Sequence, residues 1–160
     1  MSLKNHKQPF WVGFIVFVID QMTKVFAVQY LTVLKKIELT PFFNVTLVYN
    51  PGVSFGMFQS HLPWMRIILI CLAFVLMGWL VYALAKSESF IEKISYSLIL
   101  GGAFSNVIDR FTYGAVVDFL DFHLFQYHWP AFNIADSAIV VGVLCILGQQ
   151  FMKQLKYKKG

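Results

Sequence analysis

The chain has 160 residues, of which 58% are hydrophobic and 13% are charged, and its formal net charge is +5. An average soluble domain is about 45–50% apolar and about 25% charged, so this composition excludes an ordinary soluble globular protein. The aromatic content of 18% and the scarcity of acids also exclude a disordered or acidic-tailed chain. The apolar excess therefore predicts a protein that faces lipid. The positive net charge is explained by lysines in loops and tails that lie beside anionic lipid headgroups. No nucleic-acid partner is expected.

Four apolar runs predict four transmembrane helices. A helix needs about 20 apolar residues to cross a hydrocarbon core of roughly 30 Å. No small-residue cleavage pattern follows the first run, which predicts a retained helix and not a cleaved signal peptide. The predicted spans are about 10–28, 64–85, 94–108 and 135–151, within a single integral membrane domain over residues 1–160.

The basic residues orient these spans. Eight of the 13 lie in the N-terminal tail, the short loop at 86–93 and the C-terminal tail, and with four spans these segments share one side. Under the positive-inside rule that side is the cytoplasm. The segments 29–63 and 109–134 are therefore predicted to lie outside.

Both external segments have the composition of ordered elements. Residues 42–49 are β-branched and aromatic and run into the turn signal Asn50-Pro51-Gly52, and residues 115–125 are similarly apolar. These patterns predict short strands or interfacial helices. A reversal of the chain is predicted at Trp129-Pro130.

Small residues in the third and fourth runs predict close helix packing. Ser97, Gly101 and Ser105 recur every four residues, and Ala138 and Gly142 repeat the spacing. Such faces let helix backbones approach where lipid provides no hydrophobic drive.

No metal site is predicted. Cys71 and Cys145 fall inside apolar runs, where a thiol behaves as a small hydrophobe, so no disulfide is expected. His61, His123 and His128 show no metal-ligand spacing with cysteine or with a second carboxylate motif.

Five aspartates map to one membrane face. A carboxylate in or beside hydrocarbon is costly unless it is paired or wetted. The clustering therefore predicts a polar, water-filled pocket at the outer interface. The five residues are Asp20, Asp109, Asp118, Asp121 and Asp136.

Three of these aspartates have partners or solvent that explain them. Lys24 follows Asp20 by four residues and so lies one turn further on the same helix face, and Arg110 follows Asp109 directly. For both pairs two interpretations are equally good: structural ion pairs that close the helix ends, or groups that take part in catalysis. We assign these residues supporting roles. Asp121 is interpreted as a solvated surface residue.

Asp118 and Asp136 remain, each among apolar neighbours and without an adjacent basic residue. Two carboxyl groups placed together share one proton, because like charges a few ångströms apart resist simultaneous ionisation. Such a pair supplies a base and an acid at neutral pH, as in aspartic proteases. The pair is 18 residues apart in sequence, which leaves open whether the two meet. Asp136, near a helix N-terminus, is predicted to be the more readily ionised.

Five segments together carry a further signal: Asp20-Gln21-x-Thr23-Lys24, Asn50-x-Gly52-x-Ser54-Phe55, Gly101-Gly102-Ala103-x-x-Asn106-x-x-Asp109-Arg110, Val116-Val117-Asp118-Phe119 and Phe132-Asn133-x-Ala135-Asp136-Ser137. Each is weak alone. In this order over nearly the whole chain they closely resemble lipoprotein signal peptidase, the bacterial signal peptidase II.

The resemblance implies a membrane aspartyl endopeptidase that cuts signal peptides from diacylglyceryl-modified prolipoproteins before the lipidated cysteine. It implies four transmembrane helices with a small extracytoplasmic β-cradle and an interfacial segment, in the bacterial inner membrane, with both termini cytoplasmic. Asp118 and Asp136 would be the catalytic pair, without metal or cofactor, in a monomer whose partners are prolipoprotein and membrane lipid. The residues given substrate-binding or supporting roles are Asp20, Lys24, Asn50, Gly52, Asn106, Asp109, Arg110, Asn133 and Ala135.

Three other functions fit parts of the pattern. Intramembrane carboxylates also mark proton relays, which suits an ion- or proton-coupled transporter, but these carboxylates cluster at one face and no inverted repeat is visible. Asp118-x-x-Asp121 resembles the Mg²⁺-binding pair of a lipid phosphotransferase, but a second such motif is missing. A scaffolding bundle leaves the outer aspartates unexplained.

Overall fold

The computed structural model describes residues 9–52 and 63–158, which form four long helices and a small antiparallel sheet. The helices are α1 (Phe10–Leu34), α2 (Pro63–Lys86), α3 (Phe90–Thr112) and α4 (Ile134–Tyr157). The strands are β1 (Lys36–Thr40), β2 (Phe43–Asn50), β3 (Val116–Leu124) and β4 (Tyr127–His128). The predicted fold class, a helical membrane protein with a small β-structure, is confirmed.

Three helices qualify as membrane spans by length and composition within the described ranges. They are Phe10–Leu34, Trp64–Lys86 and Ile134–Leu155. The predicted span 94–108 lies inside α3, which is 23 residues long but carries buried polar side chains. Because α3 packs against α1, α2 and α4, it tolerates polar groups that a lipid-facing helix would not. Its crossing of the bilayer stays a prediction.

The predicted small-residue contacts are confirmed where α3 meets its neighbours. A Cβ atom on Gly101 would stand 2.2 Å from the carbonyl oxygen of Gly13 in α1. A Cβ atom on Gly142 of α4 would stand 2.7 Å from the carbonyl oxygen of Ser95. Only hydrogen in place of the side chain allows these backbones to lie so close.

The sheet has the strand order β1-β2-β3-β4, with antiparallel neighbours. Strands β2 and β3 confirm the β-structure predicted in 42–49 and 115–125. The register places Val48 opposite Asp118 and Asn50 opposite Val116, so the end of β2 carries Asn50 to the strand that holds Asp118.

The chain reverses earlier than predicted. Strand β3 turns at Phe125, whose φ of 55° lies in the left-handed region, and Leu124 pairs with Tyr127 as β4 returns. The predicted reversal at Trp129-Pro130 is wrong, because the backbone N–H of Trp129 still donates to the carbonyl of Phe122 at 2.7 Å. That dipeptide therefore continues the returning segment.

Gly101→Ala is expected to destabilise the helix bundle, because the new methyl group collides with the backbone of Gly13. Overpacking of this kind costs about 1–3 kcal/mol. Gly78→Ala in α2 is the matched control, since no atom of the described residues lies within 4 Å of its Cβ position. Thermal unfolding in detergent compares the two variants, and an unchanged Tm for Gly101→Ala would contradict the close contact of α1 with α3.

Candidate active site

A buried ammonium between two carboxylates forms the centre of the site. The Nζ atom of Lys24 lies 2.7 Å from Oδ2 of Asp20 and 2.7 Å from Oδ2 of Asp109, and none of the three side chains is more than 1% exposed. The predicted pair of Asp20 with Lys24 is confirmed. The predicted pair of Asp109 with Arg110 is wrong, because successive helical residues point in different directions.

Both carboxylates also hold backbone groups of other elements. Oδ1 of Asp20 accepts a hydrogen bond from the backbone N–H of Ala135 at the start of α4, at 2.8 Å. Oδ2 of Asp109 accepts one from the backbone N–H of Val117 in β3, at 3.1 Å. The charged cluster thereby joins α1 and α3 to the strand and the helix that carry Asp118 and Asp136.

Two further members of this cluster were not among the predicted site residues. Gln21 donates to Oδ1 of Asp109 at 2.8 Å, and the hydroxyl of Ser105 donates to Oδ2 of Asp20 at 2.7 Å. Gln21 belongs to the first of the five motif segments, and this position in the motif was the signal that could have identified it as a site residue. Ser105 was assigned to helix packing, and its hydroxyl serves the charged cluster as well.

Two asparagines connect the charged cluster to Asp118 and Asp136. Asn106 accepts from Nζ of Lys24 at 2.8 Å and donates to Oδ1 of Asp136 at 2.9 Å. Asn133 donates to Oδ1 of Asp118 at 2.8 Å and accepts from the backbone N–H of Asp136 at 2.8 Å. Asn133 therefore caps the N-terminus of α4 and contacts both aspartates.

Asp118 receives a second amide from β2. Nδ2 of Asn50 donates to Oδ2 of Asp118 at 3.1 Å, and Oδ1 of Asn50 accepts from the backbone N–H of Gly52 at 3.0 Å. Arg110 completes the turn by donating to the carbonyl of Gly52 at 2.7 Å. Asn50 of β2 thus contacts the Asp118 carboxyl group directly, and Arg110 of α3 holds the turn that follows Asn50. Ser54 and Phe55 of the same segment lie outside the described residues.

The environment of Asp118 favours its neutral form. The side chain is 1% exposed, and burial, followed by the charge of Asp136, raises the pKa of Asp118 from 3.8 to about 7. Hydrogen bonds from Asn50 and Asn133 and the charge of Lys24 oppose this rise. Near neutral pH Asp118 can therefore hold or release a proton.

Asp121 is not the solvated residue that was predicted. It is 6% exposed, and it accepts hydrogen bonds from Asn44 at 2.9 Å and from Nδ1 of His128 at 2.8 Å. Although burial raises it, the pKa of Asp121 is lowered below its usual value by these hydrogen bonds. Its side chain faces Asn44 on the neighbouring strand β2, which explains its burial.

Metal-binding residues do not gather at the site. Within 9–52 and 63–158, no three His, Cys, Asp or Glu side chains are placed to hold an ion. Cys71 and Cys145 are free, exposed thiols.

An apolar cavity of about 540 Å³ opens beside Asp136. The segment 129–132 forms one wall and the outward face of α4 forms the other. Asp136 and Ser137 supply the polar side chains of a lining that is otherwise apolar. The lining residues are Trp129, Pro130, Ala131, Phe132, Asp136, Ser137, Ile139, Val140 and Val141.

Comparison with known sequences matches residues 12–152 to the family described as "Signal peptidase (SPase) II". The chain belongs to the signal peptidase II family. The match covers most of the chain and includes all of α3 and β3 and most of α1 and α4, so this member of the signal peptidase II family is a protease with membrane-spanning helices.

Individual relatives agree with this assignment. The lipoprotein signal peptidase of Haemophilus influenzae is 40% identical over 158 residues, which are 98% of this chain and 92% of that protein. The lipoprotein signal peptidase of Thermodesulfovibrio yellowstonii is 43% identical over 153 residues, covering 96% of this chain and 100% of that protein.

Solved structures of bacterial membrane enzymes share the fold of this signal peptidase II chain. One, determined by the in meso method at 2.3 Å resolution, superposes with a TM-score of 0.78 at 28% identity and covers 90% of this chain and 87% of that one. Another, at 1.9 Å resolution, has a TM-score of 0.75 at 30% identity, with 88% and 90% covered.

Lys24→Met is expected to lower stability by about 3–5 kcal/mol, because it leaves two carboxylates buried without their counter-charge. Lys36→Met is the matched control. It breaks the ion pair of Lys36 with Glu38, which measures 2.7 Å and lies on the surface, and is expected to leave the Tm unchanged. Thermal unfolding in detergent measures the Tm of both variants. An equal change in Tm would show that the buried cluster stabilises the fold no more than the surface ion pair does.

Proposed function

We propose that the chain is an aspartyl endopeptidase that cuts prolipoproteins immediately before a diacylglyceryl-modified cysteine, with Asp118 and Asp136 as its catalytic pair. Membership of the signal peptidase II family supports cleavage of signal peptides. The observation that carries the assignment of the pair is that Asn133 contacts both residues, through the carboxyl group of one and the backbone N–H of the other.

In the proposed mechanism Asp136 acts as the base. It lies in the first turn of α4, where the helix dipole favours a negative charge. The carboxylate takes a proton from a water molecule, and the resulting hydroxide attacks the carbonyl carbon of the scissile amide. Protonated Asp118 gives its proton to the carbonyl oxygen, which yields a neutral tetrahedral intermediate.

The second step breaks the peptide bond. The proton held by Asp136 passes to the amide nitrogen, the C–N bond breaks, and Asp118 recovers its proton as the new carboxyl group forms. No acyl-enzyme is required. Ser137 is not activated as a nucleophile, since its hydroxyl donates to the backbone carbonyl of Asn133 at 3.0 Å.

The apolar cavity beside Asp136 supports a lipid-embedded substrate. A signal peptide and a diacylglyceryl group are both apolar, and ligand sites that bind such groups are concave, mostly apolar and carry few polar groups. The cavity has this composition and ends at the proposed base. A substrate already in the bilayer would enter it sideways.

The placement in the membrane follows from charge. Lys86 ends α2 and Lys153 lies near the end of α4, whereas the cluster around Lys24 lies at the opposite ends of α3 and α4. Under the positive-inside rule the lysine-rich end is cytoplasmic and the site faces outward. The proposal is a monomer in the bacterial inner membrane with four spans, α3 included, and with no metal or cofactor.

Asp118→Asn and Asp136→Asn are each expected to reduce cleavage at least roughly hundredfold, since general acid–base groups contribute on this scale. The assay is processing of a diacylglyceryl-modified prolipoprotein by purified enzyme in detergent, with chelator present throughout. Asp121→Asn is the matched control, because Asp121 is also a buried aspartate of β3 but contacts His128 and Asn44 instead of the pair.

Each alternative outcome has a definite meaning. Normal cleavage by a folded Asp118→Asn or Asp136→Asn protein would exclude that residue as catalytic. Wild-type activity that appears only when the chelator is left out would favour the metal-dependent alternative. Proton-coupled flux in sealed vesicles, together with no cleavage by the wild type, would favour the transporter.

The raised pKa of Asp118 predicts a pH-dependent stability difference. Between 3.8 and about 7 the folded chain keeps a proton on Asp118 that the unfolded chain has lost, so the contribution of this group falls as pH rises through that window. Asp118→Asn removes the titration. The Tm of this variant minus that of the wild type is therefore expected to grow as the pH is raised through the window, and to level off above it. A pH-independent difference would contradict the raised pKa.

A further inference from the structure

Ser105 of α3 makes a different hydrogen bond from the two other serines of its helix. The hydroxyls of Ser95 and Ser97 each donate at 2.8 Å to the backbone carbonyl four residues earlier, which is a common arrangement for a serine inside a helix. The hydroxyl of Ser105 instead donates to Oδ2 of Asp20 in α1, at 2.7 Å. Ser105 is 0% exposed, so this bond joins two helices in the interior of the bundle.

Gln21 directs the hydroxyl of Ser105 toward Asp20. Nε2 of Gln21 donates to Oγ of Ser105 at 2.8 Å and to Oδ1 of Asp109 at 2.8 Å. A hydroxyl has one proton to donate and accepts through its lone pairs. Because the bond from Gln21 uses a lone pair of Oγ, the proton of Ser105 is left for the carboxylate of Asp20.

The carboxylate of Asp20 is held by donors from three helices. Oδ2 lies 2.7 Å from Nζ of Lys24 in α1 and accepts from the hydroxyl of Ser105 in α3. Oδ1 accepts from the backbone N–H of Ala135 in α4 at 2.8 Å. The two oxygens of a carboxylate share one rigid plane, so a donor that holds Oδ2 also sets the direction in which Oδ1 faces Ala135.

The backbone of Ala135 determines where Asp136 lies, because the two residues are adjacent at the start of α4. The N–H of Ala135 is one of the first groups of the helix, which have no partner within the helix, and Asp20 supplies that partner. On the other side, a Cβ atom on Gly102 of α3 would stand 2.5 Å from the carbonyl oxygen of Ala135. The start of α4 is thus fixed between α3 and the carboxylate that Ser105 orients.

We infer that Ser105 is a positioning residue of the peptidase, acting through Asp20 and the backbone of Ala135 on the base Asp136. The inference rests on the proposed function. Ser105 does not touch the substrate, because it is fully buried and does not line the cavity beside Asp136. A displacement of about 1 Å at a reacting group can cost on the order of 100-fold in rate, so a hydroxyl that orients the support of the base affects turnover.

The test measures kcat and KM for cleavage of a diacylglyceryl-modified prolipoprotein in detergent, at a temperature well below the Tm of every variant. Ser105→Ala removes the hydroxyl. Ser97→Ala is the matched control, because Ser97 is 1% exposed in the same helix but donates to its own helix backbone. Ser105→Thr and Ser105→Val form a second comparison, since their side chains have nearly the same shape and only threonine restores the donor.

Ser105→Ala is expected to lower kcat roughly tenfold, in line with the loss of a hydrogen bond to a charged group. KM is expected to stay within roughly twofold, because substrate binding is not altered. Ser97→Ala is expected to keep both constants within roughly twofold of the wild type. Ser105→Thr is expected to have a higher kcat than Ser105→Val.

A double variant tests whether Ser105 acts through Asp20. Asp20→Asn combined with Ser105→Ala is expected to lower kcat by less than the product of the two single effects, because coupled residues are not additive. If the two effects multiply in full, the route through Asp20 is wrong.

Three further results would overturn the inference. The first is a wild-type kcat for Ser105→Ala, even with a lowered Tm, since that is the result of a purely structural role. The second is an equal loss of kcat in Ser105→Ala and Ser97→Ala. The third is an equal kcat for folded Ser105→Thr and Ser105→Val, and if these two do not fold, the alanine comparison decides. The proposed function fails separately, when folded Asp136→Asn cuts normally.

Discussion

The site depends on one buried ion cluster, in which the ammonium of Lys24 is shared by Asp20 and Asp109. Burying three charges is expensive, and such a cluster is tolerated only when its geometry is good and its remaining lone pairs are satisfied. Here the remaining lone pairs of the carboxylates hold a backbone N–H of α4 and one of β3. The energy that compensates the buried charges therefore also sets the position of the two elements that bear the proposed catalytic pair.

Neutral amides separate the charged cluster from that pair. Asn106 lies between Lys24 and Asp136. Asn133 lies between Asp118 and Asp136 and contacts both. An amide donates and accepts without titrating, so it fixes a carboxyl group in space. At Asp118 the amide hydrogen bonds only partly offset the rise in pKa that burial and the charge of Asp136 cause. A lysine or arginine in direct contact would instead hold the carboxylate ionised, which would remove the acid from the proposed mechanism.

Much of the fold and of the site could be predicted from the sequence. Long apolar runs predicted α1, α2 and α4. A β-branched composition followed by a turn signal predicted β2. The family resemblance alone assigned site roles to Asn50 and Asn133. Their contacts with Asp118 were not predicted, because distant residues meet through tertiary packing. The partner of Asp109 and the burial of Asp121 were mispredicted for the same reason. The adjacent Arg110 suggested a pair with Asp109, but helix geometry places Lys24 beside Asp109 instead. Strand register places Asp121 opposite Asn44.

The division of the pair between β3 and the first turn of α4 has a consequence for biosynthesis. Asp136 belongs to α4, which leaves the ribosome after α1, α2 and α3, and the N-terminus of α4 is fixed by Asp20 of α1. A nascent chain that has completed α1, α2 and α3 but not α4 has only half of the proposed pair and lacks one of the backbone groups held by the charged cluster. Proteolytic competence would therefore arrive in a single step, when α4 docks against α1.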